Sequence, residues 1–353
     1  MNGLEICNGS PEPARSDNNV AVVMSFSREY LPYSCVAIYS LLANSSSHYF
    51  YDIIILAYEP ETFETEVFEK LCAHYDNVSF RAVDIKAFDL SGAFVEGHLG
   101  YETYSRLLIP QILCNYRRAV YLDSDIAVCR DIAELYNSPI GADTMIAGVP
   151  DVDLIGQCFG ADEAMKYYLR KKVRIERAER YIQAGVLVFN IEKLRSCYSD
   201  GMLTELARNS RLRYFDQDIL NYACRDNIGL IDYRWNVVSD CDDIRISRII
   251  SRAPSDMLGK YMESRKDPWI IHYSGYIKPW EDPDIDMGER YWHIIDGTDL
   301  LKLSRPSGSI KKKKGIKQWL SGTLFPYGSK SRQIFKTIFL EIKYKQIKEI
   351  QSL

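Results

Sequence analysis

Ala119-Val120-Tyr121-Leu122-Asp123-Ser124-Asp125-Ile126-Ala127-Val128 is the stretch from which the fold is read. Its apolar run, Val120 to Leu122, has the composition of a buried strand and stops at two carboxylates one residue apart. Residues i and i+2 of a strand point the same way. Where the chain begins to turn, that spacing can aim both acids at one cation. Hard divalent ions such as Mg²⁺ or Mn²⁺ take oxygen ligands and keep positions open for substrate phosphates. A solvated loop carrying two aspartates is the alternative, and the rest of the chain has to decide between them.

Upstream, Val20 to Phe26 reads as a strand and Tyr33 to Asn44 as a helix. Asp52 to Tyr58 is a second buried strand, Thr62 to Tyr75 an amphipathic helix and Val78 to Ile85 a third strand. Tyr101 to Asn115 reads as a helix carrying Arg106, with Pro110 liable to kink it. Downstream come a strand over Thr144 to Asp151, a charged helical segment over Asp162 to Arg180 and a strand over Ala184 to Asn190. A helix opens at Asp216 as N-cap, and late strands cover Ile228 to Asp232 and Trp269 to Tyr273. Strands alternating with helices imply an α/β protein with a largely parallel, doubly wound sheet. Ligands of such sheets bind at the carboxyl ends of strands, where Asp123 and Asp125 lie.

The 353 residues suit one large domain or two smaller ones. Nine cysteines without a Cys-x-x-Cys pair fit a reducing compartment. Residues 1–19 are polar, lack the apolar core of a secretory signal and are expected to be disordered. No apolar run reaches about 18 residues, so a cytoplasmic location is expected. The net charge of −4 conceals an asymmetry. Residues 301–353 carry 13 Lys+Arg against 2 Asp+Glu, and the other 300 residues carry 31 against 46. In that tail Lys311 to Lys314, Lys317, Lys330, Lys336 and Lys343 interleave with Trp319, Phe325, Phe335, Ile338, Phe339 and Ile342. Such a basic amphipathic extension suits an anionic membrane surface, or else packs on the body or on another copy. An acidic body without a nucleic-acid motif argues against a nucleic-acid partner.

Two carboxylates and an imidazole, Asp123, Asp125 and His272, form an oxygen and nitrogen set suited to Mn²⁺ or Mg²⁺. Lys278, six residues beyond His272, can set a cation beside a metal-held diphosphate, and Gly275 can admit close backbone approach. Each has a plain structural explanation when taken singly. His272 ends an apolar strand and fits a core histidine, Arg106 a surface or helix-pair charge, and Asp216 a helix cap. Their joint occurrence favours a site.

Beyond these residue-level readings, the chain resembles glycosyltransferase family 8, the retaining GT-A galactosyl- and glucosyltransferases related to glycogenin. The resemblance runs over roughly residues 20–300, through Tyr30 with Pro32-Tyr33, Tyr104-Ser105-Arg106-Leu107, Tyr121 to Asp125, Ala184 to Leu187, Asp216 to Asn221 and His272 to Trp280. It implies a UDP-hexose donor and a glycan, lipid-linked or protein-linked acceptor. It implies Asp123, Asp125 and His272 as metal ligands, and Gly275 and Lys278 as phosphate contacts. Arg106 and Asp216 are implied at the donor sugar's hydroxyls, Gln217 beside the anomeric carbon, Ser124 near the ribose, and Tyr30 at the nucleotide. Two positions depart from the family pattern. Ser27-Arg28-Glu29 stands where an acidic uracil contact is common, so Ser27 or Glu29 is expected to meet the base. Gln183 replaces the usual Asn near the sugar. Asp151 and Asp153 fit either acceptor binding or a capped turn.

Two other classes share parts of this pattern. Haloacid-dehalogenase-type phosphohydrolases also end a strand in Asp-x-Asp, but their first Asp is a nucleophile near the N-terminus. A nucleotide-sugar-binding protein without turnover would need the same polar residues.

Overall fold

The computed structural model describes residues 3–95, 101–160, 163–241, 244–298 and 330–345. An eight-stranded mixed sheet forms its centre: β1 (Leu4–Cys7), β2 (Asn19–Ser25), β3 (Phe50–Ala57), β4 (Val78–Asp84), β5 (Arg118–Leu122), β7 (Ile146–Pro150), β8 (Ile182–Asn190) and β9 (Ile228–Leu230). Their spatial order is β1-β4-β3-β2-β5-β8-β7-β9. The first five run parallel, and β8 lies antiparallel to both β5 and β7. A second sheet holds β6 (Ile126–Val128), β10 (Val237–Val238) and β11 (Ile270–His272), in the order β10-β11-β6.

The strand composition explains the layering. All eight residues of β3 are buried, as expected of a parallel strand covered on both faces. Alternation then sorts side chains into two cores. Ala21 and Val23 of β2 join Ile54 and Leu56 of β3 on one face, whereas Val20, Val22 and Met24 join Ile53 and Ile55 on the other. The expected strands are all present within a few residues of their expected bounds.

Four expectations are corrected. Residues 1–19 were expected to be disordered, yet Leu4–Cys7 adds a parallel strand to the edge of β4. A four-residue edge strand carries too little pattern to read, and the open ladder of β4 supplies the partner. Tyr101 to Asn115 is a 3₁₀ segment (Tyr101–Leu108) followed by a short α-helix, Ile109–Ile112. Pro110 sits in that helix's first turn, where its missing N–H costs nothing, so a new helix starts there. The segment from 162 to 180 is also broken, into a helix over Glu163–Tyr168 and a π turn over Leu169–Val173. Asp216, finally, is no N-cap: the helix Phe215–Cys224 is preceded by Tyr214, and Asp216 lies inside its first turn.

The N-terminal segment is held by a buried ion pair. Asp52 is fully buried and pairs with Arg81. Its carboxylate also accepts from Tyr116 Oη (2.9 Å), Ser79 Oγ (3.0 Å) and the backbone N–H of Ala14 (3.2 Å). Arg81 in turn donates to the carbonyl of Glu12. Removing one partner leaves a buried charge uncompensated, which costs about 3–5 kcal/mol. Arg81→Met is therefore expected to lower the free energy of urea unfolding by about that amount; a loss below about 1 kcal/mol would show Asp52 to be otherwise satisfied.

Candidate active site

Asp123-Ser124-Asp125 is the corner at which the chain leaves the large sheet (β5) and enters the small one (β6). Main-chain pairing fixes the corner on both sides. Asp123 N–H donates to Gly185 O on β8 at 2.8 Å, and Tyr273 N–H donates to Asp125 O at 2.9 Å. The antiparallel register of β6 and β11 sets His272 opposite Ile126, one residue beyond Asp125. His272, 1% exposed, thereby places Nε2 3.3 Å from Asp125 Oδ1 and 3.6 Å from Asp123 Oδ2. One ligand atom from each of the three residues lies within 4.8 Å of the others.

This donor set fits a hard divalent cation, two carboxylate oxygens and one imidazole nitrogen being ligands of the right type. Gly185 keeps the space open: a Cβ there would come within 2.2 Å of His272 Cε1 and 2.7 Å of Asp123 Oδ2. Burial by itself would raise the pKa of Asp125. The Lys278 ammonium and the His272 imidazole outweigh that and hold it well below the usual carboxylate range.

Arg106 binds the acids into one network. Its Nη2 donates to Asp123 Oδ1 (2.9 Å), its Nη1 to Ala184 O (2.6 Å), and its Nε lies 2.9 Å from Asp216 Oδ2. The guanidinium stacks over Tyr121, whose hydroxyl donates to Asp123 Oδ1 at 3.0 Å. Burial would lower the Arg106 pKa, but Asp123 and Asp216 together push it upward, so it is a permanent cation. Asp216 also accepts from Thr103 Oγ1 at 2.9 Å. Burial raises its pKa against the pull of Arg106. Gln217 is pinned at both ends: Oε1 accepts from Ala184 N–H (2.9 Å), and Nε2 donates to Asp151 Oδ2 (2.9 Å) and Tyr181 Oη (3.3 Å).

The other expected residues divide. Tyr30 packs edge-on against Tyr33 and Trp280, and burial beside Asp125 and Asp123 raises its phenol pKa. Ser124 spends its hydroxyl on Ser25 O at 3.2 Å. Lys278 pairs with Asp125 and donates to Tyr273 O. Gly275 packs against Cys241, whose Sγ would lie 2.7 Å from an added Cβ. Gln183 Oε1 accepts from Gly185 N–H and from Asn236 Nδ2, both at 2.6 Å. Ser27 precedes the 3₁₀ turn Arg28–Tyr30 without capping it through its side chain, and it hydrogen-bonds Glu29. Asp151 and Asp153 do two jobs. Asp151 caps the helix Val152–Phe159 through Leu154 N–H (3.0 Å), and Asp153 lies 3.1 Å from Arg245 Nε. Both line a cavity of about 190 Å³ whose wall includes Gln183, Gln217, Tyr214 and Asn236. Sequence reasoning missed Asn236, Arg245 and the part played by Tyr121, which sit in no motif with transferable spacing.

The site thus joins a candidate metal-ligand cluster at the carboxyl end of a strand to a polar cavity in a mixed α/β sheet. The model of "Glycosyl transferase family 8" matches residues 21–284, and the chain belongs to that family. Over 239 residues it is 23% identical to General stress protein A of Bacillus subtilis, covering 65% of this chain and 76% of that one. It is 25% identical over 232 residues to Glycosyltransferase GlyF of Streptococcus pneumoniae, covering 65% of this chain and 50% of the relative. Among solved structures, the bifunctional glycosyltransferase WbbM superposes with a TM-score of 0.72 and 27% identity, over 84% of this chain and 53% of that one. The galactosyltransferase LgtC, in complex with donor and acceptor sugar analogs, superposes with a TM-score of 0.62 and 21% identity, over 79% and 96%. The chain thus spans about half the length of GlyF and WbbM. The chain is a member of glycosyltransferase family 8 with a GT-A fold.

The acid that holds Gln217 has a titration consequence. Burial, with Asp153 adding, raises the Asp151 pKa from 3.8 to about 6. Between these values the folded protein keeps a proton that the unfolded chain has released, so stability falls as pH rises from about 4 to about 6 and stays lower above that. Two units correspond to about 3 kcal/mol. Asp218, also raised to about 6 by burial, acts in the same direction. Asp151→Asn is expected to reduce the drop in unfolding free energy between pH 4.5 and pH 7 by about 2 kcal/mol, measured by urea denaturation; an unchanged drop would assign the slope elsewhere.

Proposed function

We propose that this glycosyltransferase is a retaining hexosyltransferase that moves galactose or glucose from a UDP-sugar to a hydroxyl of a glycan, glycolipid or glycoprotein. Asp123, Asp125 and His272 would hold Mn²⁺ or Mg²⁺. The observation that carries the reading is the convergence of these three side chains from two sheets on one point. When bound, such a cation stabilises the negative charge that develops on the departing diphosphate.

The chain's own groups supply the rest of the chemistry. Lys278 is a second positive charge for the diphosphate, on the loop that also carries Gly275. Tyr30, Ser27 and Ser124 lie at the end of β2 and the corner after β5, and take the nucleoside. Arg106 and Asp216 take the donor sugar's hydroxyls, with Arg106 also holding Asp123 in place. Gln217 is a poor nucleophile, since both ends of its amide are engaged and an amide is weakly basic. The acceptor hydroxyl therefore attacks from the face that the diphosphate leaves. Its oxygen bonds to the anomeric carbon, the bond to the diphosphate breaks, and a diphosphate oxygen takes the proton. The cavity lined by Asp151, Asp153 and Arg245 receives the acceptor.

Incubation with Mn²⁺ and a panel of nucleotide sugars is expected to release UDP from UDP-galactose or UDP-glucose. Release should fall at least about 100-fold in Asp125→Asn, and NMR should show the anomeric configuration of the product unchanged. Inversion would overturn the retaining assignment. Phosphate release from a phosphomonoester would point to the phosphohydrolase class, for which neither the site nor the family match offers support, and binding without UDP release would point to a non-catalytic binder.

The basic tail is proposed to dock the enzyme on an anionic membrane on the cytoplasmic side. Lys311 to Lys317 and the aromatic residues Trp319 and Phe325 lie outside the described residues. The helix Lys330–Lys343 is described, and it packs on the body: Leu340 and Tyr344 are buried, while Glu341 pairs with Lys172 and accepts from Tyr167. Its other face exposes Ile334, Ile338, Phe339 and Ile342, beside Lys336 and Lys343. No described helix is long and apolar enough to cross a membrane. Replacing Ile338 and Ile342 together by Glu is expected to weaken cosedimentation with phosphatidylglycerol vesicles about tenfold; unchanged binding would refute the docking role.

A further inference from the structure

We infer that Gln183 and Asn236 form a relay that fixes the tautomer of His272, keeping the proton on Nδ1 and the Nε2 lone pair toward Asp123 and Asp125. The inference rests on the metal-dependent reading for its purpose, but its geometry stands apart from it. Asn236 ends the 3₁₀ turn Tyr233–Asn236, immediately before β10, and is 3% exposed. β10 pairs in parallel with β11, setting Val238 opposite His272, and Ser239 N–H donates to His272 O at 2.9 Å. That pairing carries Asn236 to the imidazole.

Hydrogen-bond polarity propagates along the relay from a group that cannot change its sign. The backbone N–H of Gly185 can only donate, and it meets the Gln183 side chain at 2.6 Å, so the atom it meets is the amide oxygen. The same oxygen meets the Asn236 side chain at 2.6 Å, so Asn236 presents its NH₂ there. Asn236 must then turn its carbonyl oxygen to His272 Nδ1, 2.9 Å away. A carbonyl oxygen accepts only, so Nδ1 carries a proton. Nε2, 3.3 Å from Asp125 and 3.6 Å from Asp123, is left as the ligand atom.

The relay works against a local preference. Two carboxylates beside Nε2 attract a proton to that nitrogen, and a neutral imidazole without a partner at Nδ1 would hand it to them. Asn236 supplies the competing acceptor. A hydrogen bond of this kind behind a ligating histidine commonly changes metal affinity by about 10–100-fold. Asn236 and Gln183 are therefore positioning residues, acting through His272. Both also line the cavity beside the site, so Gln183 is two hydrogen bonds from the imidazole and a hydroxyl seated against it is three.

The test reads the tautomer and the metal separately. In the full-length, metal-free protein with ¹⁵N-labelled histidine, long-range ¹H–¹⁵N correlation above neutral pH should show His272 as the Nδ1–H form. Asn236→Ala should move it to Nε2–H and lower Mn²⁺ affinity about 10–100-fold, measured by the electron paramagnetic resonance of free Mn²⁺. Asn236→Asp, which keeps an acceptor oxygen toward Nδ1 but loses the donor toward Gln183, should keep the proton on Nδ1 and most of the affinity; loss of the Nδ1 proton in that variant also overturns the relay, so the test holds if the alanine variant fails to fold. An Nε2–H form in the wild type, or Nδ1–H kept in Asn236→Ala with affinity within twofold, overturns the relay. Failure of the wild type to bind Mn²⁺ overturns the metal-dependent reading instead, and the tautomer still decides the relay.

Discussion

The site depends on two backbone hydrogen bonds that grip one tripeptide. Asp123 N–H is tied to β8 of the large sheet, and Asp125 O is tied to the residue after β11 of the small one. Between them the backbone that carries both carboxylates is held at each end. At about 5 Å, two like charges repel by about 3 kcal/mol at an effective dielectric near 20. The fold meets that repulsion with cations. Arg106 lies against Asp123, and Lys278 lies against Asp125. The pairing is asymmetric in a useful way. Arg106 is held by Ala184 O and Asp216 and stacked on Tyr121, whereas Lys278 sits on the loop after β11 with Tyr273 O as its other acceptor. One counter-charge is a fixture of the core; the other is on a flexible stem in a loop.

The same corner explains why a glycine on a different strand matters. Gly185 faces both His272 and Asp123 closely enough that a methyl group would overlap the imidazole. Its own N–H starts the run of hydrogen bonds through Gln183 and Asn236 to His272. One residue of β8 thus clears the space between the ligands and orients one of them. The Ala-Gly-Val sequence of β8 is therefore part of the site.

The parallel half of the sheet was legible because its strands are runs of β-branched and aliphatic residues divided by helices, and the metal-ligand set because Asp-x-Asp ends one of those runs. Arg106 is brought to the acid cluster, with Nη1 and Nη2 in hydrogen bonds to Ala184 O and Asp123 and with Nε beside Asp216. What escaped was set by contacts distant in sequence. β1 exists because β4 has an open edge. Asn236 reaches His272 only through the pairing of β10 with β11, across 36 residues, and no local pattern marks an asparagine as a tautomer anchor. Lys278 was read as a phosphate ligand from its spacing, while its pairing with Asp125 depends on how the intervening loop folds back.

Asp216 shows most clearly why local rules misread this site. An Asp before an apolar helix is the sequence signature of an N-cap. Here the residue before it, Phe215, has φ of 45°, in the left-handed region that a bulky side chain adopts at a cost of about 1–2 kcal/mol. Packing offsets that cost: the Phe215 ring stacks on Phe94 at 5.9 Å and meets Tyr104 edge-on at 6.3 Å. The strained turn brings the helix in one residue early. Asp216 and Gln217 then stand in the first turn, with Asp216 against Arg106 and Gln217 against Asp151 and Ala184. Asp218 performs the capping from within, accepting from Tyr214 N–H at 2.8 Å. The turn through Phe215 is thus the point from which the helix sets Asp216 beside Arg106 and Gln217 between Asp151 and Ala184.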